Sequence, residues 1–105
     1  MEKPNLSYIN ALVGNDDAFR QKIIATIQAE LPVEITEYKN NILKNNYLQA
    51  AGNVHKLKHK ISVMGMEKSY YLAETFENNL KANSTELKHE FENILNMMQD
   101  FANSI

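Results

Sequence analysis

The chain has no cysteine and no tryptophan, and only three glycines and two prolines among its 105 residues. The lack of cysteine excludes disulfides and thiolate metal sites, and it is compatible with a reducing compartment. No segment is apolar for long enough to span a bilayer, and the start Met1-Glu2-Lys3-Pro4-Asn5 lacks the apolar stretch of a signal peptide. A cytoplasmic protein without membrane association is therefore expected. Charge of one sign is also scarce. A formal net charge of -2 does not supply the basic surface that general nucleic-acid binding requires.

Apolar residues make up 44% of the chain and charged residues 23%, a balance suited to a packed helical protein and not to a disordered one. The length fits a single domain, residues 1–105, and leaves no room for a nucleotide-binding module beside it. An enzyme with turnover of its own, such as an autonomous kinase, is not expected. The basic residues cluster: Lys56, Lys58 and Lys60 surround two histidines, while Glu67, Glu74, Glu77, Glu86, Glu90 and Glu92 lie downstream. A basic patch on an acidic chain suggests one acidic docking partner.

Apolar spacing predicts helices throughout. Leu6, Ile9, Leu12 and Val13 mark a short helix that Gly14 can end. Asn15 is placed to cap the next helix, with Asp16 and Asp17 in its first turn, where negative charge complements the helix dipole. Phe19, Ile23, Ile27, Leu31, Ile35, Tyr38 and Ile42 then recur every three or four positions. This stripe keeps its phase across Pro32, which argues for one long bent helix over about 16–44, with two consecutive helices as the alternative. Asn45-Asn46 reads as a turn, and Asn46 with Gln49 has capping-box spacing for a third helix that carries the histidines. Met64-Gly65-Met66 ends that helix. Met66, Tyr70, Ala73, Phe76 or Glu77, and Leu80 line a fourth. Asn83-Ser84-Thr85-Glu86 stops it and starts a fifth, lined by Leu87, Phe91, Ile94, Met98, Phe101 and Ile105. The expected fold is all-α, an antiparallel up-down four-helix bundle with a short additional N-terminal helix.

On the third helix, Val54, Leu57, Ile61 and Met64 share one side, which must face the core, and His55 points about 130° away from its centre at 100° per residue. Leu48, Ala51, Gly52, Lys58, His59 and Ser62 lie nearest His55. Glycine within a helix costs about 1 kcal/mol relative to alanine, so Gly52 suggests clearance beside His55. Leu48 offers a partner helix something apolar. An imidazole with a pKa near 6.5 keeps a neutral nucleophilic nitrogen available at cellular pH, and Lys58 can offset the charge of a phosphoryl group attached to it. His55 and His59, spaced i, i+4, can also meet on one metal ion, but no further ligand pattern accompanies them and Lys58 would repel a cation, so no metal site is assigned. Met64, Met66, Met97 and Met98 read as core fillers.

The core His55-x-Leu57-Lys58 followed by Gly65, within an all-helical chain that has the Asn15-Asp16-Asp17-Ala18-Phe19 start to a long helix, resembles the histidine-containing phosphotransfer (HPt) domains of bacterial phosphorelays. That resemblance implies that His55 takes a phosphoryl group from the aspartyl phosphate of one receiver domain and passes it to the aspartate of another, in response regulators or hybrid histidine kinases. It makes Lys58 the residue that stabilises the phosphohistidine and Gly65 the turn glycine. No cofactor of its own is implied, and Mg2+ is expected only in the partner receiver. A monomer that docks receivers through Leu48, Ala51, Gly52, His59 and Ser62 is expected. His59 departs from the family pattern, which usually has glycine or another small residue there. Glu77 lies where some members place a polar residue, but a carboxylate is expected to repel the phosphoryl group, so it is left out of the site. The alternative function is a non-catalytic helical module that docks a response-regulator-like partner through the same face.

Overall fold

The computed structural model describes residues 2–105. Five α-helices follow in order, α1 (Ser7–Val13), α2 (Asp17–Leu43), α3 (Tyr47–Val63), α4 (Glu67–Lys81) and α5 (Lys88–Ser104), with no strand among the described residues. The all-α expectation holds. None of these helices is long and apolar enough to cross a membrane.

Pro32 lies inside α2, which runs unbroken for 27 residues. At 1.5 Å per residue that is about 40 Å, most of the 45 Å long axis of the molecule. Of the two possibilities for this stretch, the single helix is realised. Pro32 faces solvent, as does Gln28, whose carbonyl the missing N–H leaves without its helical donor, so water can donate to that carbonyl instead.

One apolar cluster draws on all five helices: Ile9 and Val13 from α1, Leu31 and Tyr38 from α2, Leu57 and Ile61 from α3, Phe76 and Leu80 from α4, and Phe91 and Met98 from α5. Tyr38, Phe76 and Phe91 meet at its centre with ring centroids 5.1 to 6.2 Å apart. Tyr38 is fully buried, and its hydroxyl donates to Glu92 Oε2 at 3.0 Å. Burial and that carboxylate both push the phenol up, so it stays protonated. The α3–α4 and α2–α3 pairs pack most extensively.

Helix ends show where local signals were misread. The cap of α2 is Asp16 and not Asn15: its Oδ1 accepts from Phe19 N–H at 3.0 Å. Asn46 precedes α3, but its side chain makes no cap bond. Its own N–H already donates to the Asn41 carbonyl at 2.8 Å, so Gln49 has no donor to reach back to and the capping box does not form. Leu12 and Phe19, placed on inner stripes by their spacing, are exposed. The two turns of α1 seat only Ile9 and Val13, and α2 buries Ile24 where its stripe begins.

Met66 supplies no side-chain cap to α4. The N-terminal segment does so instead: the Glu2 carboxylate accepts from the N–H groups of Lys68 and Ser69 at 2.9 and 2.8 Å, satisfying donors that a helix start leaves free. Burial pushes the Glu2 carboxyl up, but these bonds outweigh it and hold the group below its ordinary value. Asn5 N–H donates to the Met64 carbonyl at 2.8 Å. Gly65, with φ +76°, lies beneath Asn5, whose Oδ1 would stand 2.6 Å from any added Cβ. Glycine is required there for the turn and for the crossing strap.

Asp16→Ala removes a bonded cap and is expected to lower stability by about 1 kcal/mol in urea unfolding, whereas Asn15→Ala changes it by less than about 0.5 kcal/mol. Equal losses would return the cap to Asn15.

Candidate functional site

Helix α3 is covered on two sides, by α4 and by α2, and this fixes which residues stay open. From His55, Ala51 and Lys58 lie about 40° and 60° round the helix in one direction, and His59 and Gly52 about 40° and 60° in the other. The first side turns to α4. Ala51 is 1% exposed and Lys58 7%, so Ala51 is no docking residue: α4 seals that flank of the helix. The other side stays open towards α2. What remains is a strip of Leu48, Gly52, His55, His59 and Ser62, all exposed, at alternating steps of four and three. Leu48 is 68% exposed, and a Cβ added to Gly52 would meet nothing within 4 Å. The glycine is not demanded by the chain's own packing, and its clearance opens outward.

The sequence reading missed Glu77. Its carboxylate is 6% exposed and joins three donors. Oε1 takes Lys58 Nζ at 2.9 Å and faces His55 Nδ1 at 3.3 Å, and Oε2 takes Lys81 Nζ at 3.0 Å. Burial pushes the carboxyl up, but the hydrogen bonds from Lys58 and Lys81, the Lys58 charge and the His55 contact together hold it below its ordinary value. An ionised carboxylate only accepts, so His55 Nδ1 carries the proton and donates. The contact is long for such a bond and orients the ring more than it stabilises it. The His55 side chain is 57% exposed. With Nδ1 turned to Glu77, Nε2 is the nitrogen that carries the lone pair in the neutral ring and can act as a nucleophile.

Glu77 had a signal: it interrupts the inner stripe of α4 four residues after Ala73 and four before Lys81. A buried acid of that kind must find cations. Two ammonium groups, those of Lys58 and Lys81, offset its charge. Lys58 sits beneath the imidazole, not on the open surface, with its Nζ also 5.5 Å from the Tyr70 ring centroid.

His59 stands one turn from His55, ring centroids 5.4 Å apart and planes inclined by 65°. Among the described residues, no set of three His, Asp or Glu side chains is placed to hold a metal ion. Lys60 turns to α2, where its Nζ bridges to Glu30 at 3.0 Å and Glu34 at 2.7 Å. Burial pulls this ammonium down, but the two carboxylates outweigh it and raise it above its ordinary value. Ser62 lines a shallow groove with Tyr8, Gly65, Glu67, Tyr70 and Tyr71 at the far end of the strip.

The chain matches no protein-family model, no curated protein and no solved structure with which it was compared.

The Glu77 cluster makes stability depend on acid. Its folded carboxyl titrates below the ordinary value of 4.5, so its contribution is complete above that pH and fades as pH falls through the lower folded value. Glu77→Gln is expected to flatten this part of the urea-midpoint profile between pH 7 and 3. An unchanged acid slope would show that the cluster contributes nothing. Glu77→Ala leaves Lys58 buried with no carboxylate and is expected to cost about 3 kcal/mol at pH 7.

Proposed function

We propose that this chain is a phosphorelay intermediate of the HPt kind. His55 receives a phosphoryl group from the aspartyl phosphate of one receiver domain and delivers it to the aspartate of another. In this reading the five helices form an antiparallel up-down four-helix bundle crossed by α1, acting as a single-domain monomer in the cytoplasm, with no cofactor and no turnover of its own. Receivers of response regulators or hybrid kinases are the partners, and they bring the Mg2+.

One observation carries the reading: an exposed imidazole whose inner nitrogen is held by a buried carboxylate, leaving the outer nitrogen free. Nε2 attacks phosphorus, the bond from phosphorus to the aspartyl oxygen breaks, and its electron pair returns to the carboxylate. The phosphorylated ring keeps its proton on Nδ1 and becomes cationic, facing Glu77. A cationic ring is a good leaving group, so the phosphoryl remains transferable in the reverse step. Phosphoryl transfer needs mainly alignment and charge neutralisation. Glu77 aligns the ring, and Lys58 and Lys81 cancel the carboxylate charge that would repel the incoming group. Lys58 thus acts from below the ring, through Glu77.

The open strip suits a docked helix: Leu48 at one end, His55 in the middle, Ser62 and the tyrosine groove at the other. The non-catalytic module would use the same strip.

Incubation with a radiolabelled phospho-receiver is expected to label the wild-type protein and not His55→Gln. Equal label in both, or none in either, defeats the relay reading, and retained receiver binding without label favours the docking module. Gly52→Ala is expected to raise stability by up to about 1 kcal/mol while weakening receiver binding several-fold in a titration. An unchanged Kd would remove Gly52 from the docking strip.

A further inference from the structure

The cations closest to His55 are engaged from below. Lys58 is buried against Glu77 and Tyr70, and Lys81 also pairs with Glu77, although its side chain is 51% exposed. A phosphoryl group on Nε2 projects away from Lys58, onto the open strip. There His59 meets His55 edge to face, with centroids 5.4 Å apart. The two rings are neighbours one helical turn apart on the same exposed strip.

The surroundings of His59 leave it free for this. It lines a groove between α2 and α3 with Phe19, Ile23, Ile27 and Val63. The charged groups on that groove are Lys22 and Glu30 from α2 and Lys60 from α3, and no α4 residue lines it. Glu30 and Lys60 pair with each other. On its His55 side the facing groups are His55 itself and, beyond it, the Glu77 cluster. Lys56 and Lys81, both exposed in the cleft with Leu48, Gly52, His55 and Glu77, are the rival donors.

We infer that His59 donates a hydrogen bond to the phosphoryl group carried by His55, and that this makes the relay equilibrium pH-dependent. This rests on the reading of His55 as the acceptor. The residue that departs from the family pattern then has a positive role. An unperturbed imidazole titrates near pH 6.5, within the range where cells operate, and its protonation strengthens a hydrogen bond to an anionic phosphoryl group. A charge-assisted bond to that anion is worth about a factor of ten. By linkage, phosphorylation of His55 must then raise the His59 midpoint by about one pH unit.

The test loads His55 chemically with phosphoramidate: Nε2 attacks phosphorus, the donor P–N bond breaks, and ammonia leaves. The His59 ring protons are then followed by NMR against pH in loaded and unloaded protein. The expected result is a midpoint about one unit higher when loaded. A second measurement partitions phosphoryl between the protein and a receiver at pH 6 and pH 8. The wild type is expected to favour His55 at pH 6 by about tenfold more than His59→Gln or His59→Ala does. An unmoved midpoint, or a pH-dependent partition retained in His59→Ala, overturns the inference. So does a partition altered by Lys56→Ala or Lys81→Ala and not by the His59 variants. If neither phosphoramidate nor a phospho-receiver loads His55, the acceptor reading itself falls and this inference with it. A loaded His55 with an indifferent His59 overturns the inference alone.

Discussion

A carboxylate buried between two helices cannot remain without cations, and the rest of the site follows from that constraint on Glu77. An ion removed from water loses several kcal/mol of hydration unless donors replace it. Here one oxygen takes Lys58 and faces His55, and the other takes Lys81. Lys58 and His55 belong to α3, and Glu77 and Lys81 to α4. The pairing fixes how far one helix is rotated against the other. The same contacts set the tautomer of His55, so helix packing and the orientation of the ring rest on one group.

The neighbouring position shows how α4 serves two environments. Phe76 enters the aromatic centre with Tyr38 and Phe91, while Glu77, about 100° further round, turns to α3. The apolar contact holds the helix in place, and the polar one decides its facing. Lys60 performs a comparable service on the other flank of α3, where Glu30 and Glu34 tie it to α2. Its neighbour His59 is left at the edge of that contact, between the ion pair and the open strip.

Much of this was legible in the residues. Period and glycine positions located the helices, the unbroken stripe carried α2 through Pro32, and the core side of α3 is Val54, Leu57, Ile61 and Met64, each nearly or fully buried. The illegible part was which neighbour lies on which flank. A helical projection gives His55 two equivalent sides, and only tertiary packing shows that α4 closes over Ala51 and Lys58 while His59 and Gly52 stay open. Glu77 was visible as an acid in an apolar stripe, but its meaning depended on cations that the linear chain does not place beside it. The caps erred for a local reason: Asn15 or Asp16 fits the same pattern, and backbone bonding at Asn46 had already used the donor that a capping box needs.

The strap of residues 2–5 differs in kind from the site it adjoins. Glu2 reaches residues that are 66 and 67 positions away, whereas His55 and Glu77 are 22 apart. Closing a loop three times longer costs about 1 kcal/mol more chain entropy. Fraying of the strap therefore releases the end of α4 without taking apart the ion cluster that holds the imidazole. The His55–Glu77 pair depends on the shorter closure and can outlast local melting at the edge of the fold.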